Sequence, residues 1–289
     1  MDWLSLIIQI LNGIQYGLLL FLIASGLTIV FGIMGIINLA HGSFYMIGAY
    51  LAFTLSQLTG GLFTAIALGI PLTLAFGFLL ERFVIRQLYH RDHLQQVLLT
   101  FGLILIFNEL QQILWGGEPK SVPVPEILQG AVALSDTLSY PIYRLFLSGV
   151  CLAMAATMYV VIRYTRIGMQ IRASSSNQNM LNALGVNVRL INSLVFACGV
   201  ALAGVAGILA APVETVYPGM GEQILIVSFV VVVIGGIGSI RGAFFGALLI
   251  GVTDVLGQVF LPSAASIVIY GVMAFVLLIR PSGLFGRSE

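Results

Sequence analysis

Nine runs of predominantly apolar residues, near 4–28, 43–59, 61–82, 95–115, 142–162, 190–211, 223–237, 242–260 and 264–280, decide what this chain can fold into. A helix needs about 20 such residues to cross the hydrocarbon of a bilayer. In lipid the backbone must satisfy its own hydrogen bonds, so these runs call for helices packed on helices. The expected fold is an all-α membrane protein, a polytopic bundle of eight to nine transmembrane helices with interrupted segments. Composition agrees: 59% of the 289 residues are hydrophobic, 8% are charged, and the mean hydropathy is +1.07, where soluble chains carry about a quarter charged residues. No stretch outside the apolar runs is long enough to bury its own core. Residues 1–289 are therefore expected to form a single transmembrane domain with the lipid bilayer as surroundings.

Twelve basic and eleven acidic residues give a net charge of +1, and no basic face accumulates, so nucleic acid is not expected as a partner. Cys151 and Cys198 fall inside apolar runs, where small core residues are expected rather than a disulfide framework. Asp2 stands where a secretory signal would carry positive charge, and the run beginning at Trp3 continues beyond a signal's apolar core. The N-terminus is expected to be retained.

Loop charge sets the orientation. Residues 116–141 carry Glu118, Lys120, Glu126 and Asp136, whereas 82–93 carry Arg82, Arg86 and Arg91. The positive-inside rule puts the first outside and the second in the cytoplasm. Glu214 and Glu222 flank the next outward turn, Arg241 the next inward one, and Arg280 and Arg287 close the chain, so the C-terminus is expected to be cytoplasmic. Nine crossings would leave the N-terminus outside, and eight would leave it inside with a re-entrant first segment.

Two regions are broken by polar residues and glycine: Gly32, Gly35, Asn38, His41 and Gly42 in the first, Gly235, Gly236, Gly238 and Gly242 in the second. GIINLAHGSFYMIG (35–48) and GGIGSIRGAFFGALLIG (235–251) share a glycine-rich approach, a polar residue before glycine, then a small residue and two aromatics. Duplicated halves with interrupted helices at matching places are one way transporters build a pathway; chance recurrence in a chain with 33 Gly and 18 Phe is the other reading. Freed backbone groups at such breaks are tolerated where protein or water satisfies them. Asn38, His41, Gly42, Gly235 and Gly238 are accordingly the candidate lining of a translocation pathway. Gly199, Ala203 and Gly207, and likewise Ala243, Ala247 and Gly251, are small residues four apart that let helices approach closely.

Asn12, Gln15, Asn38, His41, Asn108, Glu109, Asp254 and Gln258 are polar residues in or bordering apolar runs, and each must find a partner or line water. Glu109 and Asp254 read either as proton or ion sites or as helix-to-helix hydrogen bonding, and a single carboxylate per segment favours the latter. No catalytic or metal site is expected. His41 has no ligand company, and His90, Asp92 and His93 supply no fourth ligand. A Walker A loop needs a lysine after its last glycine; the only lysine is Lys120, before Ser121. ATP cannot be hydrolysed here by that route.

The segment RYTRIGMQIRASSSNQNMLNALGVNVR (163–189) interrupts the apolar pattern with four arginines and no acid, which marks it cytoplasmic. Ser175 and Gln178 stand at capping-box spacing, predicting a helix from Ser176 to a left-handed stop at Gly185. Met180, Leu181 and Leu184 share one face at i, i+1 and i+4. About two turns of helix are unstable alone in water. Its apolar face lies either in a partner's groove or on its own bundle or membrane surface.

GLTIVFGIMGIINLAHGSFYMIGAY near the start, TRIGMQIRA with the short helix and Gly185-Val186-Asn187, then VVVVIGGIGSIRGAFFGALLIG and RPSGLFG resemble the permeases of branched-chain amino acid ABC importers, in that order over nearly the whole chain. Urea-importer permeases carry similar motifs, and a stand-alone secondary transporter or channel is the alternative of another class. The length looks like the H-type subunit rather than the longer M-type. The resemblance implies a single transmembrane permease domain with 163–189 as coupling loop, in the bacterial inner membrane. It implies two permease chains, two cytoplasmic ATPase subunits and a periplasmic substrate-binding protein, with ATP and Mg on the partner subunits and no cofactor in this chain. Ser175, Gln178, Met180, Leu181, Leu184 and Gly185 would then couple to the ATPase. Importer permeases often show Glu-Ala-Ala four residues before a glycine here; this chain has Asn179, Met180 and Leu181, without the glutamate.

Overall fold

The first helix, α1 (Trp3–Met34), is 32 residues without proline, and from Gly17 onward its side chains are nearly all apolar on every face, as in a helix at the centre of a bundle. In the computed structural model, which describes residues 3–89, 91–135 and 138–286, it runs unbroken through Gly32 and stops where Gly35 turns to φ +65°, a left-handed conformation that suits glycine. Asp2, His90, Asp136 and Arg287 lie outside the described residues. After the non-helical stretch 35–40 come α2 (His41–Thr59), α3 (Leu62–Phe83) and α4 (His93–Trp115). A small antiparallel hairpin, β1 (Ala131–Ser135) and β2 (Leu138–Pro141), precedes α5 (Ile142–Tyr164). The remaining helices are α6 (Arg166–Ser176), α7 (Gln178–Ala183), α8 (Val188–Ala210), α9 (Met220–Gly235), α10 (Ile240–Phe260) and α11 (Ala265–Ile279).

Seven helices among the described residues are long and apolar enough to cross a membrane: α1, α3, α4, α5, α8, α10, and α11 with its leading turn. The 19-residue α2 and 16-residue α9 lie among them, giving the expected all-α polytopic bundle. In α1 and α8, 83% of the apolar window is buried, against 11% in α5 and 6% in α11. The first pair forms the centre, and α5 and α11 present their faces to lipid or another chain.

Small residues set the central packing. Gly199 of α8 lies against Gly26 of α1, Gly207 against the α2 backbone at Tyr45, and Gly251 of α10 against Gly17 of α1. The two stripes anticipated on α8 and α10 thus sit at helix crossings, where backbone contact is the main source of association in lipid.

The short helices begin inside the bundle. His41, the first residue of α2, places Nε2 3.0 Å from the Ile23 carbonyl, roughly three turns or about 17 Å before the end of α1. Its neighbour Gly42 packs directly on the backbone of Gly221, in the first turn of α9. Two helix N-termini therefore meet in the protein interior. At its other end α9 stops at Gly235, and the C-terminal tail folds back over it. The amides of Leu284 and Phe285 bond the carbonyls of Ile234 and Gly235 at 2.8 and 3.1 Å, satisfying acceptors that every helix end leaves free.

On the side reached by residues 116–141, Lys120 and Val216 exchange backbone hydrogen bonds of 2.8 and 2.9 Å. The loop is thereby tied to the α8–α9 connector. At the opposite end, buried Glu81 of α3 takes Arg86 at 3.0 Å together with Tyr89 and Ser193 of α8. That network fixes residues 84–89 against the central helix.

Candidate functional site

A cavity of about 830 Å³ opens between the first half of α1, the start of α5, the 211–219 connector, the start of α9, and the facing ends of α10 and α11. Its wall is unusually polar for a bundle this apolar. Asn12, Gln15, Asp254 and Gln258, half of the embedded polar residues singled out from the sequence, converge on it from α1 and α10. They are joined by Tyr16, Tyr45, Arg144, Glu214 and Gln223. The 3.6-residue periodicity brings this about: Asn12 and Tyr16 stand one turn apart on α1, and Asp254 and Gln258 one turn apart on α10.

Hydrogen bonds hold the charged groups in place. Arg144 Nη1 donates to Asn12 Oδ1 at 2.6 Å, and the Tyr45 hydroxyl donates to Glu214 Oε2 at 2.9 Å. Glu214 lines the cavity and is exposed there. Burial raises its carboxyl above the ordinary range, against the opposing effects of the Tyr45 hydrogen bond and the Arg144 charge. Among the described residues, the one ion pair within 4.0 Å is Arg86 with Glu81. Arg144, Glu214 and Asp254 thus share a cavity with no direct ion pair among them.

Arg144 and Tyr45 join the cavity without being among the polar residues expected there. The signal for Arg144 was present: a basic residue three positions into the apolar stretch that follows an acidic outer loop runs against the positive-inside pattern. Tyr45 carried no such mark. Of the two other embedded residues on α4, Asn108 donates to Glu222 at 2.7 Å, and Glu109 is exposed.

The five pathway candidates from the broken segments are dispersed around the helix breaks, and none lines the large cavity. Asn38 and His41 are fully buried; both polar side-chain atoms of Asn38 lack a partner, as does His41 Nδ1. Gly42 rests on Gly221, Gly235 rests on Gly242, and Gly238 is exposed with Gly32 beside it. Two of these positions nevertheless border the cavity's wall. Tyr45 follows His41 by one turn, and Met220, which lines the cavity, adjoins Gly221.

At the other end, 163–189 forms two helices where one was predicted. Thr165 caps α6, its hydroxyl accepting from the Gly168 amide at 3.1 Å. Ser175 lies inside α6, with its hydroxyl donating to the Arg172 carbonyl at 2.8 Å, so the anticipated Ser175–Gln178 capping box does not form. Asn177 takes that place instead. Its backbone is extended, and its side chain accepts from the Met180 amide at 2.9 Å, which starts α7 at Gln178 rather than Ser176. Gln178 Nε2 reaches the Ile33 carbonyl at 3.2 Å, tying the loop to the end of α1. Gly185 adopts φ +80°, the left-handed stop the sequence indicated.

The three apolar residues expected on one face, Met180 and Leu181 in α7 and Leu184 at its C-cap, divide between two surroundings. Leu181 is buried with Ile29, Val188, Ile191 and Val195, whereas Met180 and Leu184 are 63% and 70% exposed. One leucine anchors the helix to its own bundle, and the other two side chains project away from it. A cleft of about 320 Å³ between α6 and the start of α8 reaches Gly185, the residue after Leu184, and is lined by Ile171, Val186 and Leu190 among others.

A helical membrane bundle with interrupted helices, a polar cavity within it and a short anchored helix between spans defines a polytopic membrane transport protein. Residues 9–277 match the profile of the family described as branched-chain amino acid transport system / permease component, and the chain belongs to that family. It is 34% identical to the high-affinity branched-chain amino acid transport system permease protein BraD of Pseudomonas aeruginosa, covering 97% of this chain and 96% of the relative. It is 31% identical to the corresponding protein LivH of Escherichia coli K12, over 97% and 96%. Permease protein LivM of the same E. coli strain is also similar, 28% identical over 91% of this chain and 67% of LivM. No solved structure matches.

Proposed function

We propose that this permease carries branched-chain amino acids across a bacterial inner membrane as one of two permease subunits of an ABC importer. Two cytoplasmic ATPase subunits supply ATP hydrolysis and hold the nucleotide and Mg; a periplasmic binding protein delivers substrate to the outer cavity. The observation that carries the reading is α7: a helix too short to stand alone, anchored by buried Leu181, with Met180 and the C-cap residue Leu184 left exposed. Exposed apolar side chains at fixed spacing on a short helix suit docking in a groove of another subunit. Similarity to both LivH and LivM supports a second, related permease chain. In this orientation 116–141 and the cavity face the periplasm, and 163–189 and the C-terminus face the cytoplasm, in keeping with the loop charges.

The Gly42–Gly221 contact between the starts of α2 and α9, next to Tyr45 and Met220 of the cavity wall, would close the route beneath the cavity. Asn38 and His41 lie beyond it with unpaired polar atoms that water or solute would satisfy when the helices part. Proteoliposomes with permeases, ATPases and binding protein should accumulate L-leucine only with ATP inside the ATPase-bearing compartment. Equal accumulation without nucleotide would refute the importer reading in favour of a secondary transporter or channel.

A further inference from the structure

We infer that the outer cavity contains a binding site for a zwitterionic amino acid, with Arg144 holding the α-carboxylate and Glu214 the α-ammonium. Selectivity for the amino acid headgroup would then reside in the permease itself, besides whatever a delivering protein selects. The inference deepens the transport reading above and rests on it for the class of solute.

Charged groups among membrane-spanning helices are costly unless they pair or meet water, and such groups mark solute routes. Arg144 and Glu214 line one cavity with opposite sign, yet no ion pair joins them. Each is instead braced by a neutral partner that leaves bonding capacity free. Asn12 occupies one of the five guanidinium N–H groups, and Tyr45 one of the carboxylate's acceptor sites. A purely structural pair would close on itself. Two separately braced, unpaired charges of opposite sign suit a ligand that carries both charges.

The remaining wall fits an aliphatic side chain. Leu19, Leu147, Ile224 and Ile269 line the same cavity. Its volume of about 830 Å³ falls within the roughly 300–1,000 Å³ range of small-molecule sites. Asp254 and Gln258 on α10 supply further acceptors for the ammonium or for ordered water.

The test uses the purified full chain and three probes: L-leucine, 4-methylpentanoate, which lacks the ammonium, and 3-methylbutylamine, which lacks the carboxylate. L-leucine should raise the thermal midpoint saturably, whereas neither single-charge analogue should do so at the same concentration. Arg144→Gln and Glu214→Gln should each abolish the leucine shift, Arg144→Lys should retain part of it, and Arg163→Gln at the inner end of α5 should leave it intact. In proteoliposomes of the whole assembly, the two charge-removing variants should copurify with their partners but import L-leucine at least tenfold more slowly. Equal stabilisation by the single-charge analogues, or an unchanged leucine shift in both variants, would overturn the site. Wild-type uptake that needs no ATP would instead overturn the importer assignment, while the stabilisation series would still decide the site.

Discussion

Glu81 illustrates how one side chain can fix a whole turn of this protein. It is completely buried and receives Arg86, Tyr89 and Ser193, linking the end of α3, residues 84–89 and α8. Removing one partner of a buried pair typically costs about 3–5 kcal/mol because a charge is left without its counterion. Arg86 is about a third exposed, so water recovers part of that loss. Glu81→Ala should therefore destabilise the chain by about 2–3 kcal/mol, read as a lower thermal midpoint in detergent, and Glu81→Gln should lose less because it still accepts from Tyr89 or Ser193. An unchanged midpoint for the alanine variant would mean the network contributes nothing to the fold. The sequence shows Glu81 beside Arg82 and Arg86 in a stretch that reads only as a charged inner loop; which carboxylate turns inward depends on packing against α8. For the cavity, Asn12, Gln15, Asp254 and Gln258 were legible because polar residues in apolar runs stand out, whereas Tyr45 is indistinguishable in sequence from any core aromatic.

At the scale of elements, the breaks were visible in sequence, but their depth was not. Glycines and polar residues at 32–42 and 235–242 indicated interrupted helices, and the helices do stop at Met34 and Gly235. Nothing local says that α2 restarts about 17 Å inside the bundle, since that depends on His41 finding the Ile23 carbonyl and on Gly42 meeting Gly221. A side chain at 42 would collide with the Gly221 backbone, which cannot rotate away as a side-chain neighbour could. Gly42→Val should separate the two helix starts, with the roughly 1–3 kcal/mol cost usual for overpacking, or more. The expected result is a lower thermal midpoint and reduced insertion; wild-type stability would show that α2 and α9 do not press together as described. The α6–α7 boundary differs from the capping-box expectation for a local reason. Three serines and two asparagines in 174–179 offer several cap candidates, and Asn177, not Ser175, adopts the extended backbone that a cap requires.

At the scale of the whole molecule, charge alternation and nine apolar runs were enough to indicate a polytopic bundle, and family membership gives it a transport role. In the assembly proposed above, buried Leu181 fixes α7 and exposed Leu184 at its C-cap would meet the ATPase. Leu184→Asp sets an unpaired charge in an apolar contact, a burial that costs several kcal/mol, but at a position exposed in the chain alone, so folding and insertion should be unaffected. Ile127→Asp makes the same change at an exposed residue of the opposite loop. Copurification of the ATPase with each variant, paired with leucine uptake in cells, tests the docking directly. Leu184→Asp should lose ATPase association and uptake together, while Ile127→Asp keeps its ATPase. Retention of both by Leu184→Asp at wild-type level would contradict docking through α7.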